Sequence, residues 1–346
     1  MSGAIDVHAH LLLPALQEEV ARRDPDGFAA ANALDARRNG PESLAASGRM
    51  VGARIPLLTD PAARIAAMDE QGVAQQWVSP SPNHFHPWAD EELGVWIAKE
   101  ANRQIAAHVA TAPDRLRGLG TVPLQHPSRL VECLDDAVLA HGLLGVEISS
   151  FAGDVELSDE RLEPFWARAA ELGAIVFLHP FGCSLDERLD RFYLSNTVGQ
   201  PTENAVALSH LIFAGVLDRH PELRIVAAHG GGYLPTVIGR SDRAWAVRPE
   251  ARGCAEPPST YLRRLWFDTV VHDERTLRAL VEVAGADRVV LGSDFPFDMG
   301  LDDPVGFVQG AGLADADAVL FRTSAALAAG VHGADAASAP VAEARA

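Results

Sequence analysis

The sequence predicts a single (β/α)8 TIM barrel, and three observations carry that prediction. Short apolar runs recur eight times: Ile5–His10, Gln75–Ser79, Leu116–Val122, Leu143–Ser149, Ala174–His179, Arg224–His229, Leu265–Val271 and Arg288–Asp294. Helix-period segments alternate with them, among them Pro61–Gln71, Glu91–Ala112, Pro127–Ala140, Glu160–Leu172, Glu203–Arg219 and Asp273–Ala284. Such alternation implies right-handed βαβ units and a parallel sheet, and eight repeats fit a closed barrel. Third, several runs end in a residue able to bind a metal or move a proton, and such a barrel carries its active site at the C-terminal ends of its strands.

The first run ends in His8-Ala9-His10. Successive side chains of a strand point to opposite faces, so His8 and His10 aim at one point, as two ligands of a borderline metal such as zinc must. His179 closes the fifth run, His229 the sixth and Asp294 the eighth. A lone histidine ending a strand is more often a hydrogen-bonded structural group. Five such groups at one barrel mouth argue for a site.

Between the first run and Pro61 lies an insertion, residues 14–60, where a βα loop ordinarily needs only a few residues. It leaves from the active-site end of the first strand and is expected to lie over the mouth, with Glu42–Pro56 forming a small hairpin. The fourth run carries Glu147, an inward carboxylate that could bridge metals or be structural. The loop after the second run carries His84 and His86, which either contact substrate or are exposed. Residues 333–346 are Ala-rich without apolar periodicity and are expected to form a disordered tail, which leaves 1–332 as one domain.

A hydrophobic content of 48% is ample for one large core. The net charge of −18 repels nucleic-acid phosphates and anionic membranes alike. Cys133, Cys183 and Cys254 form no C-x-x-C and leave one thiol unpaired, as in a reducing compartment. Neither a signal peptide nor a membrane-spanning stretch is evident. These readings lead to the expectation of a cytoplasmic enzyme acting on a small molecule.

Taken in order, Ile5-Asp6-Val7-His8-Ala9-His10, Leu178-His179-Pro180, Ala228-His229-Gly230-Gly231-Gly232 and Leu291-Gly292-Ser293-Asp294-Phe295-Pro296-Phe297 resemble the amidohydrolase superfamily. More narrowly, they resemble its aminocarboxymuconate-semialdehyde decarboxylase-like branch. Arg64–Val73, Val122–Gln125, Gly239-Arg240 and Pro257-Pro258-Ser259 extend the match over residues 4–329. The resemblance implies a barrel of the metal-dependent hydrolase type with one divalent ion held by His8, His10, His179 and Asp294. Zinc is the first expectation, and manganese or cobalt also suits such a shell. Lys99, the one lysine, lies in an amphipathic helical stretch and is expected at the surface, not as a metal bridge. His229 is implied as acid/base beside the ion, with Asp294 catalytic as well as ligating. The competing lipase reading of His-Gly-Gly-Gly requires a G-x-S-x-G elbow, which the sequence lacks.

The resemblance also implies that Arg54 and Arg240 bind a substrate carboxylate, the second from a neighbouring subunit of a homodimer. Trp88, Phe181, Phe192 and Phe297 are candidate aromatic walls. The branch often reads H-P-W-D after the fifth strand, whereas this chain reads His179-Pro180-Phe181-Gly182. The departure bears on the substrate more than on the metal. The expected activity is non-oxidative decarboxylation of an unsaturated or aromatic carboxylic acid, such as an aminocarboxymuconate-semialdehyde-like or hydroxybenzoate-like compound. The alternative is hydrolysis of an ester, lactone or amide by a metal-bound hydroxide.

Overall fold

The computed structural model describes residues 3–331, so the tail expected over 333–346 lies outside the described residues. Among them, eight parallel strands follow the eight apolar runs. They are β1 (Ala4–Leu11), β2 (Val73–Pro80), β3 (Leu116–Gly118, continuing as Gly120–Thr121), β4 (Gly145–Ile148), β5 (Ile175–Leu178), β6 (Arg224–Ala227), β7 (Trp266–Asp268) and β8 (Val289–Val290). Each pairs with its neighbour in parallel. Within β3, Leu119 N–H bonds Val78 O (2.9 Å) while Gly118 O accepts from Leu144 N (2.8 Å), so one strand joins β2 to β4. The segment following β8 closes the barrel onto β1. Val7 N donates to Leu291 O (2.8 Å), Asp294 N to His8 O (2.9 Å) and His10 N to Phe295 O (2.7 Å). Closure therefore runs through His8, His10 and Asp294, the polar residues at the ends of the first and last apolar runs.

Strands β4 and β5 are buried along their whole length, as strands covered on both faces must be. The outer helices lay one apolar stripe on them. In α5 (Glu91–Val109), Leu93, Ile97, Ala101 and Ile105 recur every fourth residue and are buried, and the Asp90 side chain caps the helix by accepting from Leu93 N. Lys99 sits on the outer side of this helix, paired with Glu132 and 40% exposed, so it cannot reach the barrel mouth.

The insertion is three helices, α1 (Pro14–Arg23), α2 (Pro25–Asn39) and α3 (Pro41–Thr59), followed by α4 (Pro61–Glu70). The hairpin expected over Glu42–Pro56 is therefore corrected to helix. Gly48, Gly52 and Pro56 read as turn punctuation, but Pro41 at the first helical position presets φ, and the Ala, Leu, Met and Arg residues that follow favour a helix. Helix α2 buries none of its side chains, and α3 buries only Leu58. After β8 the chain adds two helices, Pro304–Gly310 and Thr323–Ala329, which the sequence periodicity does not disclose.

His84 is neither exposed nor a substrate contact. It is fully buried, its Nδ1 donating to Ser81 O (2.8 Å) and its Nε2 accepting from Leu13 N (3.1 Å), which pins the loop after β2 to the start of the insertion. Burial pushes its pKa down from 6.5 to about 4. A histidine held neutral in the fold contributes stability above pH 6.5 that is lost as pH falls through about 4, on the order of 3 kcal/mol for a shift of this size. His84→Gln should accordingly flatten the fall in urea midpoint between pH 7 and pH 4.5. An unchanged slope would remove His84 from the acid response.

Candidate active site and metal centre

His8 and His10 alternate along β1 and are fully buried, with their Nε2 atoms 3.0 Å apart. His179 follows β5, its ring centroid 5.1 Å from His8 and 5.0 Å from His10. Asp294, just beyond β8, places Oδ1 3.5 Å from His8 Nε2 and 3.2 Å from His10 Nε2. His229 follows β6, its Nε2 3.7 Å from Asp294 Oδ2. One ligand atom from each of His8, His179, His229 and Asp294 lies within 4.8 Å of the others. The structure thus brings together all five residues that end the apolar runs.

Their outer hydrogen bonds separate them. His179 Nδ1 donates to Pro180 O (2.9 Å), which leaves Nε2 a lone pair that is buried and without a partner in the protein. His8 Nδ1 bonds Asp268 Oδ2 at 2.6 Å, and His10 Nδ1 faces Ser79 Oγ at 3.4 Å and Glu147 Oε2 at 3.9 Å. An imidazole fixed through one nitrogen to an outer acceptor, with the other aimed at a common centre, is the arrangement of a metal ligand. Three histidines and a carboxylate fit one divalent ion with a coordination position left over. His229 differs, because its Nδ1 is buried without a hydrogen-bond partner. Its side chain is 14% exposed and that of Asp294 10%, whereas those of His8 and His10 are sealed. The ring without an outer anchor is also the one that can exchange a proton with the mouth.

Electrostatics follow the same division. Burial and the neighbouring imidazoles hold His179 well below its ordinary pKa, which suits a neutral ligand. Burial opposes charge on His229, but the carboxylates of Asp294 and Asp268 together outweigh it and raise its pKa. Burial acts against ionised Asp294 too, yet His8, His10 and His229 hold it well below the usual carboxylate range. Glu147, fully buried beside His10, is pushed up to about 7 by burial.

Both His229 (φ 53°) and Asp294 (φ 61°) adopt left-handed backbone, a conformation costing of order 1 kcal/mol or more for such residues. Local packing enforces it. Asn204 Nδ2 donates to Ala228 O (2.8 Å), and Gly230 N donates to Asp268 Oδ1 (2.8 Å). A Cβ on Gly292 would stand 2.9 Å from His8 Cβ and 2.8 Å from Asp268 Cβ, so glycine there lets β7, β8 and β1 approach. A second buried network steadies β1. Asp6 accepts from Ser293 N (3.0 Å), Ser293 Oγ (2.5 Å) and Gln76 Nε2 (2.8 Å). Arg64 links Gln76 Oε1 (2.6 Å) to His10 O (2.5 Å).

The expected substrate contacts divide. Phe297 packs against His10 with ring centroids 5.4 Å apart, and Arg54 of α3 donates to Pro296 O beside it. Both line a cleft of about 350 Å³ between α3, α4 and the loop after β8. Phe181 meets Phe85 edge-on at 6.3 Å, while Trp88 packs on His86 at 5.4 Å and over Gly27 of α2, bracing the insertion. Phe192 is 87% exposed, so it is not a wall of this chain's own site. Its place in a turn with positive φ keeps the ring off the core. His86 is buried against Phe28 and Trp88, not exposed. Arg240 is exposed on the helix Leu234–Val247, in line with Val237 and with Tyr233 at its N-terminal end. Sequence reasoning missed Asp268. The apolar run, Leu265–Val271, carries on past it, and only the structure shows that strand β7 ends at Asp268.

A histidine- and aspartate-lined mouth on the C-terminal rim of a closed parallel barrel defines a hydrolase-type metal-site barrel. The Amidohydrolase family profile matches residues 5–329, and the chain belongs to that family. It is 33% identical over 301 residues to the 2-amino-3-carboxymuconate-6-semialdehyde decarboxylase of Dictyostelium discoideum, covering 86% of this chain and 82% of that protein. It is 29% identical over 281 residues to the gamma-resorcylate decarboxylase of Rhodococcus jostii, covering 76% and 85%. Among solved structures, the 5-carboxyvanillate decarboxylase of Novosphingobium aromaticivorans, complexed with manganese and 4-hydroxy-3-methoxy-5-nitrobenzoic acid, superposes with a TM-score of 0.81 at 20% identity, over 94% of this chain and 96% of that one. These relatives are decarboxylases of unsaturated or aromatic acids, as their names state.

Proposed function

We propose that this chain is a metal-dependent, non-oxidative decarboxylase of a conjugated or aromatic carboxylic acid. What carries the reading is the contrast within the site: three anchored imidazoles and Asp294 face one point, and beside them stands one histidine whose Nδ1 has no hydrogen-bond partner and whose side chain is partly exposed. Decarboxylase relatives by sequence and by fold support it. His8, His10, His179 and Asp294 hold one divalent ion, with zinc the first expectation from the ligand set and manganese the ion named with a structural relative. Such an ion would supply Lewis-acid polarisation of a substrate oxygen. His229 Nε2 delivers a proton to the carbon that bears the carboxylate. The bond between them breaks, its electron pair stays on that carbon to form the new C–H bond, and carbon dioxide leaves. His229 then regains a proton through its exposed edge.

Arg54 keeps N–H donors free beyond its bond to Pro296 O and clamps the substrate carboxylate, while Phe297 offers a flat wall. Arg240 completes the clamp in a partner's site. A second copy of this chain covers apolar side chains left exposed, Leu34 and Leu44 on the insertion and Tyr233 and Val237 beside Arg240. Among the described residues no helix is long and apolar enough to cross a membrane. With Cys133, Cys183 and Cys254 all free and buried, we place the enzyme in the cytoplasm.

Metal-loaded protein incubated with carboxymuconate semialdehydes, hydroxybenzoates and simple lactones should release carbon dioxide in step with loss of the acid's absorbance. Lactone opening without carbon dioxide would make the enzyme a hydrolase. Arg54→Ala and Arg240→Ala should each impair turnover of the acid by a few kcal/mol, roughly 10²-fold, with fold and metal intact. Mixing inactive Arg240→Ala chains with inactive His229→Asn chains should restore activity in heterodimers, because one hybrid site regains both groups. Subunit exchange without recovery would confine Arg240 to its own chain or to no site.

A further inference from the structure

Asp268 stands at the end of β7, fully buried, and touches both functional halves of the mouth. Its Oδ2 accepts from His8 Nδ1 at 2.6 Å. Its Oδ1 accepts from two backbone donors, Gly230 N at 2.8 Å and Val270 N at 3.1 Å. Gly230 directly follows His229, and both residues are left-handed, so this contact holds the turn that aims the His229 ring. The same carboxylate thus fixes the proton of one candidate ligand and the backbone of the candidate acid/base. No other carboxylate in the cluster does both. Glu147 stands 3.9 Å from His10 Nδ1, and Asp6 reaches the backbone N–H of His8 but not its ring.

We propose that Asp268 is the positioning residue that couples metal capture to proton delivery: through Oδ2 it locks His8 in the tautomer whose Nε2 can ligate, and through Oδ1 it holds the His229–Gly230 turn. The proposal rests on the metal and acid/base roles assigned above. Both oxygens of Asp268 must accept, which only a carboxylate does. In Asp268→Asn the amide oxygen is best spent on the two backbone donors, which turns the NH2 group toward His8 Nδ1. His8 must then accept at Nδ1 and carry its proton on Nε2, where it cannot bind a metal. Asp268→Ala removes both supports.

The test uses the full-length zinc-loaded protein. Chelator competition should show Asp268→Asn binding zinc roughly 10- to 100-fold more weakly than wild type, the usual cost of losing an outer partner of a ligand histidine. Circular dichroism should be unchanged. Asp268→Ala should lose affinity as well and, at saturating zinc, should show a reduced kcat with KM little changed, because its His229 turn is released. A substitution that disturbed only packing would lower thermal stability without moving zinc affinity. Wild-type zinc affinity in Asp268→Asn would overturn the proposal. Should the variants fail to fold, 15N-histidine spectra of the zinc-loaded wild type decide instead. His8, assigned by the signal lost in His8→Gln, should carry its proton on Nδ1 in a strong hydrogen bond, and a proton on Nε2 or ligation through Nδ1 would overturn it. Wild-type protein that binds no zinc at all would sink the metal reading itself, a result distinct from failure of the Asp268 role.

Discussion

His229→Asn is expected to retain its metal and lose turnover by roughly 10²–10⁴-fold, the usual contribution of a positioned proton-transfer group. The two effects separate because His229 is the one imidazole of the cluster with no outer anchor on Nδ1, whereas His8, His10 and His179 each have an acceptor facing theirs. Its side chain also meets solvent, which a proton donor needs and a ligand does not. Asparagine cannot carry the proton, and its short side chain leaves the His8, His10, His179 and Asp294 cradle untouched. Metal analysis beside steady-state rates checks the outcome. If metal falls in proportion to turnover, His229 is a ligand and the acid/base assignment is wrong.

The barrel was legible because a parallel strand buried on both faces writes itself as an uninterrupted apolar run. The polar residue that ends the run then marks the mouth. His10, His179, His229 and Asp294 obey that grammar, with His8 two residues before His10, whereas Asp268 ends strand β7 inside its apolar run. It was passed over because an aspartate inside Phe267-Asp268-Thr269 reads as a strand residue until β7 is seen to end there. The insertion was less legible. Helix α3 carries two glycines and an internal proline, and it buries only Leu58, so no apolar stripe sets its period. His84 and His86 could not be placed from sequence, because each is held by residues distant along the chain: Leu13 at the entrance to the insertion for one and Phe28 within it for the other. Where local pattern and tertiary contact agree, sequence suffices; where burial comes from an inserted element, it does not.

His179→Ala and Asp294→Asn should each strip the metal and abolish activity together, leaving one ion per chain in the wild type and close to none in the variants. His179 contributes a buried Nε2 that meets no protein partner, and Asp294 is the carboxylate that sits within 3.5 Å of both β1 histidines through one oxygen. Removing either takes away one of the four proposed ligands. Glu147 does not change that count. It approaches His10 from the Nδ1 edge of the ring, whereas the common centre lies on the Nε2 edge, so it is placed behind a ligand and not between two ions. Glu147→Gln should therefore still hold one ion per chain by elemental analysis. Two tightly held ions in the wild type, falling to one in Glu147→Gln, would overturn the mononuclear assignment and return Glu147 to the centre of the site.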